Sequence, residues 1–336
     1  MSVLAVLHPT NLLGKELRER LESGRDGLHW TELRLLSTQE DEIGTLTEVG
    51  GAAAIVQRYE PDSLQGIDAI FFCGPIAANR PVLAEIPAGL TAVVLSPDAT
   101  RGDGMPVVAG VNTAAASRGA VLLSPHPAVV LIAHLLHSLS ALAPREAVGT
   151  VIQPASQHDT PGVEELFEQT RQIVAMAQRR RSQVFGAQLA FNLMPAAIPA
   201  ETVTEVLAAV LDGPAHPARN AGPPRQPRAK AGSSVPVSLQ LLQGGIFHGL
   251  AASLLVRLAG DPGLPALRRA LADWPYLQLA SNPRHLGPID AAASDRILIG
   301  TPRKDARDGG FWLWAVMDNL TRGGALNAVE IAAATL

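Results

Sequence analysis

Cysteine is almost missing from this chain: Cys73 is the single one in 336 residues. That excludes a disulfide scaffold and any Cys-rich zinc site, and it fits a reducing compartment. Charge is scarce as well. Charged residues make up 17% against 47% hydrophobic ones, which excludes a disordered chain. The net charge is −4 with no basic tail or stripe, so nucleic acid is not an expected partner. Long apolar runs are also lacking. The opening run over residues 2–7 is short and has no basic flank, unlike a secretory signal. The run over 127–133 is stopped by His134, with His137 close behind, so no membrane span is expected. These absences predict a soluble, cytoplasmic chain of one large or two medium domains. A chain of this length buries about three quarters of its unfolded surface, so its core needs neither metal nor disulfide.

What is present has a clear rhythm. Short apolar runs at 2–7, 33–36, 69–73, 92–95 and 121–123 alternate with segments of helical spacing such as 14–21. That alternation predicts an α/β fold with a doubly wound parallel sheet over about residues 1–125. A helix with an apolar face is expected from Ala128 to about Leu142, then a strand at 148–152. A long helix at 161–181 should follow, ending in Arg179, Arg180 and Arg181, where the helix dipole favours positive charge. Residues 213–234 are rich in Pro, Gly and Ala and contain Arg219, Arg225, Arg228 and Lys230. They read as a flexible surface loop, with an anion-binding site as the alternative. No internal repeat is present. An aromatic-rich strand is expected at 311–317. Beyond it Ala325, Ala328, Ile331 and Ala332 make a flat, small helical face suited to close packing on the first domain.

Three segments carry a resemblance to a known family. The run Asp318-Asn319-Leu320-Thr321-Arg322-Gly323-Gly324-Ala325-Leu326-Asn327-Ala328-Val329-Glu330-Ile331-Ala332 closely resembles the C-terminal segment of the aspartate-semialdehyde dehydrogenases. Residues Phe185, Gln188, Ala190, Phe191, Asn192 and Pro195 match that family's F-x-x-Q-x-AFN-x-x-P motif. Residues 106–112 match its PLVVPEVN segment more loosely. The FGxQLAFN form looks most like the Usg-type paralogues, a branch lacking the catalytic cysteine. The resemblance implies a Rossmann-like domain at 1–126 completed by 317–336. It also implies a central α+β domain at 127–316 for catalysis and dimerisation, and hence a homodimer.

Family chemistry, carried over by this resemblance, needs a thiolate nucleophile, a His for proton transfer and an Arg for the substrate carboxylate. The nucleophile's turn here reads Ser124-Pro125-His126-Pro127-Ala128, so Pro127 stands at the cysteine's position. Cys73 reads as a buried small hydrophobe instead. The family's substrate strand aligns with 243–250, where Gln243 replaces the Arg and Leu250 the His. His248, two residues from Leu250, would share its face by strand alternation and is a candidate shifted acid or base. Gln153 matches a glutamine beside the acyl group, and Arg101 matches an arginine of the acyl-phosphate site. Glu205 matches the first position of E-x-x-K, with Ala208 at the Lys.

The resemblance also implies NAD or NADP, through a glycine turn that here reads His8-Pro9-Thr10-Asn11-Leu12-Leu13-Gly14. Gly14 is the packing glycine. His8 precedes Pro9 and is expected to be extended, while Asn11 tolerates positive φ. Ser37 and Asn327 complete the implied cofactor contacts. Glu40, Asp41 and Glu42 after Ser37 should repel a 2′-phosphate, which favours NAD over NADP. No metal is expected from His126, His134 and His137, which lack nearby acids or cysteine. Three functional readings stay open: a non-catalytic family member, a rearranged NAD(P)-dependent oxidoreductase acting on an aldehyde or acyl-phosphate, and a binding module for an acidic or phosphorylated metabolite.

Overall fold

The computed structural model describes residues 2–176, 182–213, 235–307 and 309–336. Arg179, Arg180 and Arg181 lie outside the described residues, as does the loop expected at 213–234 beyond Gly213, with Arg219, Arg225, Arg228 and Lys230. The described chain forms two compact units, one of residues 2–133, 205–213 and 324–336, the other of 134–204 and 235–323.

The first unit begins β1 (Ser2–Leu7), α1 (Leu12–Ser23), β2 (Trp30–Ser37), a hairpin of β3 (Leu46–Val49) and β4 (Ala52–Ile55), and β5 (Gln57–Arg58). It goes on with β6 (Ala69–Phe72), α2 (Ile76–Leu83), β7 (Thr91–Val94), β8 (Met105–Pro106) and β9 (Val121–Leu123). Seven strands join in the order β5-β2-β1-β6-β7-β9-β8, every neighbouring pair parallel. The expected doubly wound sheet is therefore present. Its central strands are apolar on both sides because both faces are covered. Leu4, Val6, Phe71 and Val93 enter one core, and Ala5, Leu7, Ile70, Phe72 and Val94 the other.

The helix α3 (Pro127–Ser138) follows. It is shorter than the run to Leu142 expected from sequence. A 3₁₀ turn takes over at Ser140–Leu142, and Ala143 at φ 49 delivers the chain to Pro144. Proline disfavours helical geometry in the residue before it, so the helix cannot continue.

In the second unit come β10 (Pro144–Gln153), α4 (Asp159–Val174), β11 (Leu193–Pro195), β12 (Val237–Gly244) and β13 (Leu250–Leu258), while α5 (Ala200–Asp212), between β11 and β12, lies mostly in the first. After them run α6 (Gly263–Asp273), β14 (Leu277–Leu279), β15 (Ile297–Ile299), β16 (Arg303–Lys304) and β17 (Phe311–Met317), and α7 (Leu326–Thr335) follows in the first unit. The second unit's sheet runs β11-β12-β10-β13-β17-β15-β14, with β16 paired to β17. The pairing is mixed: β10 runs parallel to β12 and antiparallel to β13. This unit is the α+β partner that the resemblance implied.

Helix α7 returns to the first unit. Ala325, Ala328, Val329, Ile331 and Ala332 share a core with Leu4, Val6 and Phe71. Small side chains let the helix backbone come close, which is what the small face in the sequence was expected to do.

Candidate functional site

Open parallel sheets take ligands at the carboxyl ends of their strands, where the strand order reverses. In the first unit that point lies between β1 and β6. The turn after β1 differs from its sequence reading in two ways. His8, expected to be extended, is left-handed at φ 58 and 1% exposed. His is among the non-glycine residues that visit this region more often than most, and the His8 N–H still bonds the Leu36 carbonyl at 2.9 Å. Asn11, which tolerates positive φ, is instead extended at φ −68 and caps α1 by accepting the Gly14 N–H at 2.6 Å. Leu12 and Leu13 open the helix behind it. A Cβ on Gly14 would lie 2.8–2.9 Å from backbone atoms of His8 and Pro9, so glycine is required for helix and strand to meet.

The acids after β2 also behave differently from expectation. Glu40 pairs with Arg58 at 2.6 and 2.7 Å, and Asp41 is exposed. Glu42 turns inward and is 8% exposed. It does not face outward as a repelling charge because three donors hold it. Ser37 donates to Glu42 Oε2 at 2.6 Å, Thr10 donates to Oε1, and His8 Nδ1 lies 3.2 Å from Oε2. A carboxylate only accepts, so the proton sits on Nδ1 of His8. Nε2 lies 3.3 Å from the Thr38 hydroxyl. Burial opposes ionisation of Glu42, but the bonds from His8, Ser37 and Thr10 outweigh it and hold the carboxyl below the usual range. The turn does not fit a dinucleotide: Pro9 has no N–H, the Gly14 N–H is engaged, and His8 fills the glycine's place.

Asn327, on α7, is fully buried. It accepts the Ala109 N–H at 2.9 Å and donates to the Val107 carbonyl at 3.2 Å and Ser124 Oγ at 2.9 Å. Pro127 is buried at the first position of α3, where its missing N–H costs nothing. Cys73 is fully buried at the end of β6.

In the second unit, Gln153 and Gln243 are register partners at the ends of β10 and β12. Gln153 Nε2 donates to Gln243 Oε1 at 3.0 Å, and Gln243 Nε2 donates to the Gln153 carbonyl at 3.2 Å. His158 Nε2 lies 3.1 Å from the same Gln243 Oε1, so it is the donor. Burial pushes the His158 imidazole down, with the bond to Gln243 opposing. His158 went unnoticed in the sequence, although the run Gln153-Pro154-Ala155-Ser156-Gln157-His158 directly after a strand was the available signal. The result is a neutral amide and imidazole cluster, able to donate and accept hydrogen bonds but with no positive charge for a carboxylate.

Helix α4 frames this cluster through buried polar side chains. Glu165 accepts the N–H groups of Gln183, Val184 and Phe185 at 2.7, 2.8 and 3.1 Å. Gln169 accepts those of Leu189 and Ala190 at 2.7 and 3.0 Å. The segment is thereby held so that Phe185 meets His158 edge-on, with centroids 5.2 Å apart. Asn319 bonds Ser156 and accepts the Gly249 N–H at 3.0 Å. Asp318 holds the N–H groups of Leu320, Thr321 and Ala293 at 2.8–2.9 Å.

Other candidate residues stand apart. His248 does not share a strand face with Leu250: β12 ends at Gly244, and His248 is exposed in the turn before β13. Gly249, at φ 85, breaks the alternation on which that reading depended. Arg101 is exposed in a loop and Glu205 exposed on α5. His134 stacks on Tyr276 with centroids 4.4 Å apart, and His137 tilts against Trp274 at 4.6 Å.

Comparison with known proteins adds the remaining information. No family model matches the chain. An aspartate-semialdehyde dehydrogenase of Synechocystis sp. is 24% identical, the alignment taking in 98% of this chain and 96% of that one. A USG-1 protein homolog of Azotobacter vinelandii is 26% identical with the same coverage. A solved structure, of a probable aspartate-semialdehyde dehydrogenase from Pseudomonas aeruginosa, superposes with a TM-score of 0.82 at 23% identity. It covers 99% of this chain and 98% of its own. Over nearly its whole length the chain is similar to aspartate-semialdehyde dehydrogenases and to USG-1 homologs. It shares the two-sheet fold of that solved structure. Among its described residues, no helix is long and apolar enough to cross a membrane.

Proposed function

We propose that the protein is a non-catalytic member of the aspartate-semialdehyde dehydrogenase family, acting as a cytoplasmic homodimer. The observation that carries this reading is Pro127 at the first position of α3, where the resemblance puts the nucleophilic cysteine. Proline has no side-chain nucleophile. Cys73, the single alternative thiol, is fully buried at a strand end. Supporting it, Gln243 stands at the substrate arginine's position and is bound to Gln153 and His158. A glutamine lacks the charged fork that grips a carboxylate. Loss of the nucleophile, base and anchor together is the pattern of a family member released from catalysis, since fold persists when a site is gone. In this reading 1–126 with 317–336 form the Rossmann-like domain, and 127–316 the half that carries dimerisation.

The test is an assay of purified protein with aspartate semialdehyde, inorganic phosphate and NADP or NAD, followed at the nicotinamide absorbance. No turnover above the uncatalysed rate is expected. Turnover abolished by substitution of Gln153 or Gln243 would overturn the reading in favour of a rearranged oxidoreductase.

A further inference from the structure

The crevice between β1 and β6 contains the chain's own side chains. The position a Cβ on Gly74 would occupy lies 3.5 Å from Asn11 Nδ2 and 3.9 Å from His8 Cβ and Cδ2. Both side chains therefore reach across from the end of β1 to the end of β6. The next subsite in a dinucleotide fold lies at the end of the second strand, where ribose hydroxyls or a 2′-phosphate are bound. Here three donors converge on that place: the hydroxyls of Thr10 and Ser37 and the Nδ1–H of His8. Their common acceptor is the Glu42 carboxylate, supplied by the loop five residues beyond Ser37. Three donors around one buried anion is the arrangement a phosphate monoester would need, because charged acceptors strengthen each bond. A crowded turn alone would exclude ligands, but it would not require an acid to fold back among these donors.

We propose that Glu42 is a built-in ligand, its carboxylate filling an anion subsite made by Thr10, Ser37 and His8 and so closing the crevice to phosphate-bearing molecules. The subsite is latent: its donors are in place, and the chain satisfies them itself. This deepens the non-catalytic reading and rests on it for its biological sense, whereas its geometry stands independently.

The experiment compares the full-length wild-type chain with Glu42→Ala and Glu42→Gln, titrated calorimetrically with inorganic phosphate, adenosine 2′-monophosphate and adenosine. Thermal unfolding checks that each variant folds. Removing the carboxylate should open the subsite. Glu42→Ala should bind adenosine 2′-monophosphate at least about tenfold more tightly than the wild type, adenosine hardly at all, and lose binding again in the Glu42→Ala/Ser37→Ala double variant. Glu42→Gln, of nearly the same volume, should stay closed. A folded Glu42→Ala that gains nothing, or a wild type that binds as well as the variant, overturns the proposal. If Glu42→Ala folds only with phosphate present, the site has accepted its substitute ligand and the proposal stands. If neither Glu42→Ala nor Glu42→Ser folds with or without phosphate, Glu42 is a stability element alone and the proposal falls. Dehydrogenase turnover by the wild type would sink the non-catalytic reading without touching this test, and a silent Glu42→Ala would do the reverse.

Discussion

Trp274 donates its indole N–H to Nδ1 of His134 across 3.1 Å, and the Tyr276 ring stacks on the same imidazole. His134 is fully buried. Burial first, then the positive charge of Arg322 and the nearby His137, holds it neutral far below the ordinary histidine range. The unfolded chain takes up this proton near pH 6.5 and the folded chain does not, so stability falls as pH drops below about 6.5. The slope from this group approaches about 1.4 kcal/mol per pH unit. Urea midpoints between about pH 7 and 5 should show it. In His134→Leu the slope should flatten, although the orphaned Trp274 N–H costs roughly 1–3 kcal/mol at all pH values. An unchanged slope in that variant would assign the acid sensitivity elsewhere.

Asn327 holds three buried groups of the first unit at once. Asn327→Ala leaves the Ala109 N–H and Ser124 hydroxyl without this partner in a buried site. A loss of roughly 2–4 kcal/mol is expected, read as a lower urea midpoint at unchanged m-value.

Much of this fold was legible in the sequence, for a physical reason. Strands buried on both faces must be continuous apolar runs, and 2–7, 69–73 and 92–95 announced a parallel sheet directly. The small face of Ala325, Ala328 and Ala332 likewise announced close packing. The site was harder to read because its geometry depends on backbone states and distant partners. Periodicity does not reveal that His8 turns left-handed, or that Asn11 caps a helix from an extended backbone. Glu42 looked like one of three solvent-facing acids, yet donors 32 and 34 residues away in sequence draw it inward. His248 was misplaced because strand alternation was carried through Gly244 and Gly249, where the strand is broken. His158 was marked only by a short polar run directly after a strand, which periodicity does not single out.

Gly14→Ala should destabilise the chain by about 1–3 kcal/mol. Its Cβ would meet the His8 carbonyl oxygen and two Pro9 backbone atoms at 2.8–2.9 Å. Backbone cannot swing aside as a side-chain tip would, so α1 must shift off β1. Thermal unfolding checks this, and a variant as stable as the wild type would show that the turn has slack.

Pro127→Cys should not create a dehydrogenase. The thiol would enter a chain whose substrate position holds Gln243 in place of arginine, and whose glycine turn is filled by His8. Stability should change by less than about 1 kcal/mol, because an N–H at a first helical position needs no helical partner. The nicotinamide assay with aspartate semialdehyde is the check, and measurable turnover would show that the nucleophile alone was missing.

Helix α7 has a consequence for the order in which the protein is made. Strand β1 is synthesised long before the helix that covers Leu4, Val6 and Phe71, which lies about 320 residues further along the chain. Until α7 has been made, one face of the sheet has no lid, and its closing contacts join residues more than 200 positions apart. Such long-range closure is slow and leaves apolar surface open to mistaken partners. The nascent amino-terminal half is therefore a natural client for chaperones, and a stop codon shortly before Leu326 would leave that face uncovered.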